Sequence, residues 1–140
     1  MLSKIALVGF GEAGSTFAQA ASWRSLACAW DIAPARRAAM ADCDVAAAAS
    51  IDEALHGAEL ILSLVTADRA LAVARDYAPY LAPGALWCDM NSVAPDTKRA
   101  AGLLIEKNGG RYVDVAVLAP VHPARLQVPL LLSGPAALNA

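Results

Sequence analysis

The feature that most constrains this sequence is a glycine pattern directly after an apolar run near its start. Residues 5–10 are typical of a strand buried on both faces, and the small side chains of residues 12–23 predict a helix. Gly9, Gly11 and Gly14 give the spacing G-x-G-x-x-G between them. These glycines permit a sharp turn, leave the backbone open to a close neighbour, and let the helix pack on the strand. The chain therefore begins with a strand, a tight turn and a helix.

Strand and helix signals continue to alternate along the chain. Pro34 starts a second helix, and Ser50 with Glu53 forms a capping box for a short helix closed by Gly57. Thr66 is expected to cap a helix over residues 67–78, and Pro95 begins another. Further strands are predicted at residues 26–31, 60–65, 85–90, 111–117 and 128–133. This alternation predicts one α/β domain over residues 1–140, with a Rossmann-type doubly wound, mainly parallel sheet and helices on both faces.

The glycine segment also carries the strongest functional signal. The free N–H groups and positive dipole end of the first helix favour an anion at this turn. Asp31 closes the second strand, and about 20 residues after the central glycine is where a ribose-binding carboxylate is expected. A lone glycine pattern also occurs in structural turns, but here strand, glycines, helix and acid agree. They predict dinucleotide binding by Gly9, Phe10, Gly11, Glu12, Ala13, Gly14 and Asp31.

The acid at the end of the second strand favours NAD over NADP. A 2′-phosphate would be repelled by the Asp31 carboxylate at close range. Arg36 and Arg37 follow on the next helix, and they could reach a 2′-phosphate or simply be solvated. NAD is the predicted cofactor, with NADP as the alternative.

Composition argues against several other classes of function. The formal net charge of −2 gives no electrostatic support for binding nucleic acid or an anionic membrane surface. Cys28, Cys43 and Cys88 show no C-x-x-C spacing, and His56 and His122 have no ligand-type neighbours, so no metal site is expected. The apolar run at the start is too short for a secretory or membrane-spanning segment. We expect a cytoplasmic protein.

Four segments of the chain carry a family resemblance. They are IALVGFGEAG, LILSLVTADRAL, WCDMNSVAPDTKR and RYVDVAVLAPV. With them the whole chain resembles the N-terminal domain of the β-hydroxyacid dehydrogenases, the family of 6-phosphogluconate and 3-hydroxyisobutyrate dehydrogenases. The resemblance implies that Leu64, Val65 and Thr66 lie along the nicotinamide half of the cofactor. It also implies that Asn91 and Ser92 contact the nicotinamide ribose or the substrate, whereas Asp89 stabilises a neighbouring loop or helix terminus.

The substrate loop departs from the family pattern. The family has D-x-P-V-S-G-G where this chain has Asp114 and then VAVLAP, so Leu118, Ala119 and Pro120 replace a serine and two glycines. Leucine has no side-chain donor and proline has no N–H, so the usual contacts to a substrate carboxylate cannot all form. His122 is a candidate general acid, although a loop histidine is more often structural.

The resemblance places the catalytic residue outside this sequence. It implies a lysine and an all-helical domain beyond Ala140, so no catalytic residue is assigned within the chain. The expected function is to hold cofactor for hydride transfer with a small hydroxyacid or related alcohol. The alternative is a stand-alone NAD(H)-sensing module without turnover. A domain without its helical partner should expose an apolar face, which favours homo-oligomers.

Overall fold

The computed structural model describes residues 2–140, and a seven-stranded sheet forms its centre. The strands are β1 Ile5–Val8, β2 Ala27–Trp30, β3 Ala46–Ala47, β4 Leu60–Ser63, β5 Leu86–Asp89, β6 Arg111–Val117 and β7 Leu130–Ser133. Their order is β3-β2-β1-β4-β5-β6-β7, and only the pairing of β7 with β6 is antiparallel. The direction of chain progress reverses at β1, because β2 lies on one side of it and β4 on the other.

Helices cover both faces of this sheet. They are α1 Glu12–Ala21, α2 Pro34–Met40, α3 Ile51–Leu55, α4 Ala70–Tyr77 and α5 Pro95–Lys107. Neighbouring strand residues point to opposite faces. Leu7 accordingly packs in a cluster with α1 and α2 residues, whereas Ala6 and Val8 pack with residues of α3, α4 and α5. The predicted doubly wound, mainly parallel fold is confirmed.

Two local predictions were wrong and one strand was missed. Thr66 does not cap α4: residues 66–69 form a turn in which Arg69 N–H donates to the Thr66 carbonyl at 2.9 Å, and the helix begins at Ala70. The predicted helix over residues 67–78 is therefore too long at its start. The strand β3 was not predicted, because its two exposed alanines give no apolar or β-branched pattern.

The Ser50 half of the capping box at α3 forms as expected, whereas Glu53 reaches back to Ala49, one residue before the cap. Glu53 N–H donates to Ser50 Oγ at 3.2 Å, and Glu53 Oε2 accepts from Ala49 N–H at 2.7 Å. Gly57 follows the helix with a φ of +70°, a conformation that glycine adopts readily. The Ser50 contact satisfies one of the N–H groups that a helix leaves without partners at its start, and the Glu53 contact ties the residue before the cap to the first turn.

An apolar groove of about 210 Å³ lies on the α1 side of the sheet, above β4 to β7. It lies between α1 and the segment that leads into β7. The groove is lined by Phe17, Trp23, Leu60, Leu62, Cys88, Met90, Val115, Leu126, Val128, Leu130, Leu132 and Ala140. Within residues 2–140, no helix has the length and apolar character needed to cross a membrane.

Candidate cofactor-binding site

A cleft of about 600 Å³ opens at the carboxyl ends of β1, β2, β4 and β5. Open α/β sheets bind ligands at such a crevice, where the strand order reverses. The residues predicted from the sequence that line it are Gly9, Gly11, Glu12, Ala13, Asp31, Leu64, Val65, Thr66, Asn91 and Ser92. Segments that are far apart in the sequence thus meet in one place.

The three glycines of the turn have different surroundings. Gly9 has a φ of +95°, and a Cβ there would lie 2.2 Å from the Leu64 carbonyl oxygen. A Cβ on Gly14 would lie 2.8 Å from the carbonyl oxygen of Gly9. A Cβ on Gly11 would meet nothing within 4 Å. Gly9 and Gly14 are therefore required by packing, whereas Gly11 leaves open space in the cleft.

The helix α1 presents its N-terminus to this open space. Its first bonds include Ser15 N–H to the Gly11 carbonyl at 3.0 Å. Helix geometry leaves the N–H groups of the first turn, among them those of Glu12 and Ala13, without partners inside the helix. Such donors, with the dipole of the helix, form a site suited to an anion.

Phe10 and Asp31 connect the glycine turn to the end of β2. The Phe10 side chain is fully buried in the core, but its N–H donates to Asp31 Oδ2 at 2.9 Å. The other carboxylate oxygen of Asp31 accepts from Ala33 N–H at 2.8 Å. Each carboxylate oxygen has a further lone pair, so Asp31 can still accept from a ligand hydroxyl.

The two arginines after β2 differ in what they contact. Arg37 donates from Nη1 to the carbonyls of Asp31 and Ile32 at 2.8 and 3.1 Å, and it lies 5.4 Å from the Trp30 ring centroid. Arg36 is exposed and lines the cleft. Arg37 thus stabilises the loop, and of these two arginines Arg36 is the one that lines the cleft.

An aromatic pair on the same side of the cleft was not predicted from the sequence. Trp30 Nε1 donates to the Tyr77 hydroxyl at 3.1 Å, and both side chains line the cleft. Trp30 ends β2 directly before Asp31, and this position could have indicated it. Tyr77 ends α4, and nothing in the local sequence connects it with β2.

Asn91 lies at the other side of the cleft and is almost completely buried. Its Oδ1 accepts from Val65 N–H at 2.7 Å, and its Nδ2 donates to Ser63 Oγ at 3.1 Å and to Asp89 Oδ1 at 2.8 Å. The amide thus holds the loop after β4 against the loop after β5. Ser92 is exposed and free of these contacts.

A buried charged cluster lies behind Asn91. Lys98 Nζ donates to the Asp89 carbonyl at 2.7 Å and lies 2.8 Å from Asp114 Oδ1. Tyr112 donates its hydroxyl proton to Asp89 Oδ2 at 2.7 Å, and burial, with the charge of Asp89, raises the pKa of this phenol. Lys98 was not predicted from the sequence. Its spacing of three, four and seven residues from Ala101, Gly102 and Ile105 places it on the buried face of α5 and could have revealed it.

The loop after β6 lies outside the cleft lining. Leu118, Ala119, Pro120 and His122 were predicted near the substrate, and none of them is among the residues that line the cleft. His122 Nε2 lies 3.1 Å from Thr16 Oγ1 and 4.0 Å from Glu12 Oε1. These contacts attach the loop to α1.

The thiols and potential metal ligands do not form a site among residues 2–140. Cys28, Cys43 and Cys88 are free thiols, and burial raises the pKa of Cys88 to about 11. In the same part of the chain, no group of three or more His, Cys, Asp or Glu residues could hold a metal ion.

The fold, the glycine turn and the acid at the switch point define a dinucleotide-binding domain of the Rossmann type. The family model for the NAD-binding domain of 6-phosphogluconate dehydrogenase matches residues 4–138. The chain belongs to this family of NAD-binding domains, which confirms the resemblance seen in the sequence. Among curated proteins, none matches the chain.

Solved structures with the same fold include oxidoreductases. A conserved hypothetical protein from Sinorhizobium meliloti 1021 is 34% identical, with a TM-score of 0.91 over 99% of this chain and 49% of its own. The 3-hydroxyisobutyrate dehydrogenase of Mycobacterium tuberculosis, solved with L-serine, is 22% identical, with a TM-score of 0.89 and the same coverage. A variant imine reductase from Myxococcus stipitatus in complex with NAD+ is 24% identical, with a TM-score of 0.82, over 99% of this chain and 49% of its own. The chain spans about half the length of each.

Proposed function

We propose that residues 1–140 form one domain that binds NAD in the cleft and serves an NAD-dependent dehydrogenase. The reaction is hydride transfer between nicotinamide and a small hydroxyacid or related alcohol. The observation that carries the proposal is the meeting of the glycine turn, Asp31 and the loops after β4 and β5 around one cleft. Since the chain spans about half the length of the solved relatives, turnover is proposed for a polypeptide that also carries a second domain.

The pyrophosphate is assigned to the N-terminus of α1. The N–H groups of Glu12 and Ala13 would donate to it, and the open space at Gly11 lets the phosphates approach the backbone. Asp31 would accept from a hydroxyl of the adenosine ribose while it holds the Phe10 N–H. The chain's own residues thus bind and orient the cofactor, which supplies the acceptor for the hydride.

NAD is proposed over NADP because of the charges around the end of β2. A 2′-phosphate next to Asp31 would bring two anions together in the cleft. Arg37 already donates to the Asp31 and Ile32 carbonyls, so of the two arginines on α2 only Arg36 lines the cleft, and Arg69 lines it from the residue before α4.

The nicotinamide and substrate positions are assigned to the other side of the cleft. Leu64, Val65, Thr66 and Asn91 are proposed to lie along the nicotinamide half, and Ser92 at the substrate. The apolar Leu118, Ala119 and Pro120, together with His122, are proposed to face the substrate when the cleft is covered. The three free cysteines support a reducing compartment, so we propose a cytoplasmic protein.

The test is a calorimetric titration of the chain with NADH and with NADPH, repeated with Asp31→Ala. NADH should bind more tightly than NADPH, and the variant should lose NADH affinity about tenfold or more. Because Asp31 also holds the glycine turn, thermal unfolding of the variant must be measured in parallel, and Asp42→Ala is a matched exposed control. Absence of saturable binding of either cofactor to the unmodified chain would refute the proposal.

A further inference from the structure

Lys98 is a buried cation that does not line the proposed cofactor cleft. It is 7% exposed, and its Nζ lies 2.7 Å from the Asp89 carbonyl oxygen, 2.8 Å from Asp114 Oδ1 and 3.5 Å from Asp89 Oδ1. A buried ammonium group costs free energy unless its charge and its donors are satisfied. Lys98 meets this condition by joining the carboxyl end of β5 to β6.

Two hydrogen-bonded steps connect this cation with the wall of the cleft. Asp89 Oδ1 accepts from the backbone N–H of Asn91 at 3.1 Å and from its Nδ2 at 2.8 Å. Asn91 Oδ1 in turn accepts from Val65 N–H at 2.7 Å. Val65 and Asn91 both line the cleft. The orientation of Asp89 thus determines how the loops after β4 and β5 are held together.

The sheet order indicates which half of the cofactor these loops meet. Asp31 assigns the adenosine ribose to the end of β2, and the glycine turn assigns the pyrophosphate to β1. Since β4 and β5 lie on the opposite side of β1 from β2, an extended dinucleotide places its nicotinamide half over them. This step rests on the proposed function.

We propose that Lys98 is a positioning residue for the nicotinamide half of the cleft, acting through Asp89 and Asn91 on the Val65 backbone. Lys98 neutralises and orients Asp89 without touching the cofactor. When its charge is removed, Asp89 and Asp114 lose their shared cation. Asp89 is then held less firmly in the orientation in which it accepts hydrogen bonds from Asn91. The hydrogen bond between Asn91 and the Val65 N–H weakens, and the loops after β4 and β5 separate more easily.

The test compares two ligands that differ by the nicotinamide. In Lys98→Met, affinity for NADH should fall about tenfold, which corresponds to the loss of one hydrogen bond to a charged group. Affinity for ADP-ribose should change less than about twofold. Hydrogen exchange at the Val65 amide should also become faster. Lys107→Met removes an exposed lysine from the same helix and is the matched control. Lys98→Gln keeps a donor without the charge, and it decides the result if the methionine variant does not fold.

The outcomes distinguish failure of the positioning role of Lys98 from failure of the proposed cofactor site. A selective loss of NADH affinity in a Lys98 variant, absent in Lys107→Met, supports the positioning role. Equal losses for NADH and ADP-ribose, or no loss for either, overturn it and leave the cofactor site standing. If the unmodified chain binds neither ligand, the proposed function fails and the role of Lys98 fails with it.

Discussion

Gly9 and Gly11 are separated by a single residue, yet a side chain at each position would meet different surroundings. A Cβ on Gly9 would collide with the Leu64 carbonyl, and the φ of +95° at this position is one that residues with a side chain rarely adopt. A Cβ on Gly11 would project into open space. Gly9→Ala should therefore destabilise the fold by about 2 kcal/mol or more and also lose NADH binding. Gly11→Ala should keep the unfolding temperature and lose NADH affinity about tenfold or more, because its methyl group would occupy the place proposed for the pyrophosphate.

Thermal unfolding and NADH titration of both variants check this contrast. Gly57→Ala is a useful control, since Gly57 also has a positive φ but lies away from the cleft. It should lower stability without changing NADH affinity beyond what unfolding explains. Full NADH affinity in a folded Gly11→Ala variant would contradict the assignment of the phosphates to this turn.

The Cys88 thiol makes the free energy of unfolding depend on pH in the alkaline range. Burial raises its pKa from 9.0 to about 11, so the folded chain holds this proton more tightly than the unfolded chain does. The contribution is fully present below pH 9 and is lost as pH rises from 9.0 to about 11. At about 1.4 kcal/mol per pKa unit, the loss approaches about 3 kcal/mol.

Urea unfolding at several pH values above 8 measures this loss. In Cys88→Ala the free energy of unfolding should fall less steeply with pH, although the variant starts from a lower value because a buried side chain has been shortened. The raised pKa of Cys28 acts in the same direction, so some slope remains. Identical slopes for the unmodified chain and the variant would show that the Cys88 thiol is not protected from ionisation.

At the scale of elements, the parts that could be predicted are those with a local signal. The buried strand β1, the turn at Gly9 and the Ser50 cap each depend on neighbouring residues, and all three form as expected. Thr66 failed as a cap because a hydrogen-bonded turn competes with a helix start at the same residues. The pairing of β7 with β6 is antiparallel, and its direction was not predicted because no local pattern within β7 indicates it.

The residues of the candidate site likewise fall into those with a local sequence signal and those that depend on tertiary contacts. Gly11 and Asp31 could be found because their spacing along the chain is a property of the strand-turn-helix unit itself. The contacts of Trp30 with Tyr77 join residues 47 positions apart. The buried Lys98 owes its role to strand ends that meet only in the folded sheet. Local patterns therefore indicated the side of the cleft proposed for the pyrophosphate and the ribose, whereas the other wall depends on tertiary contacts.

At the scale of the whole molecule, the apolar groove above β4 to β7 is the surface where association is expected. Apolar side chains line it, and exposed apolar patches of this kind favour contacts with another surface. Two leucines of the edge strand β7 offer a matched pair. Leu130 is 44% exposed and lines the groove, whereas Leu131 is 59% exposed and does not line it.

If copies of the chain associate through this groove, Leu130→Lys should raise the dissociation constant at least about tenfold, because a leucine that is buried on association contributes about 1.5–3 kcal/mol. Leu131→Lys adds the same charge to the same strand and should change it much less. Sedimentation velocity over a range of concentrations measures both. Equal weakening by the two variants would instead indicate pairing along the β7 edge, where both residues would meet the partner strand. A sedimentation coefficient that does not change with concentration would show that the groove does not drive self-association.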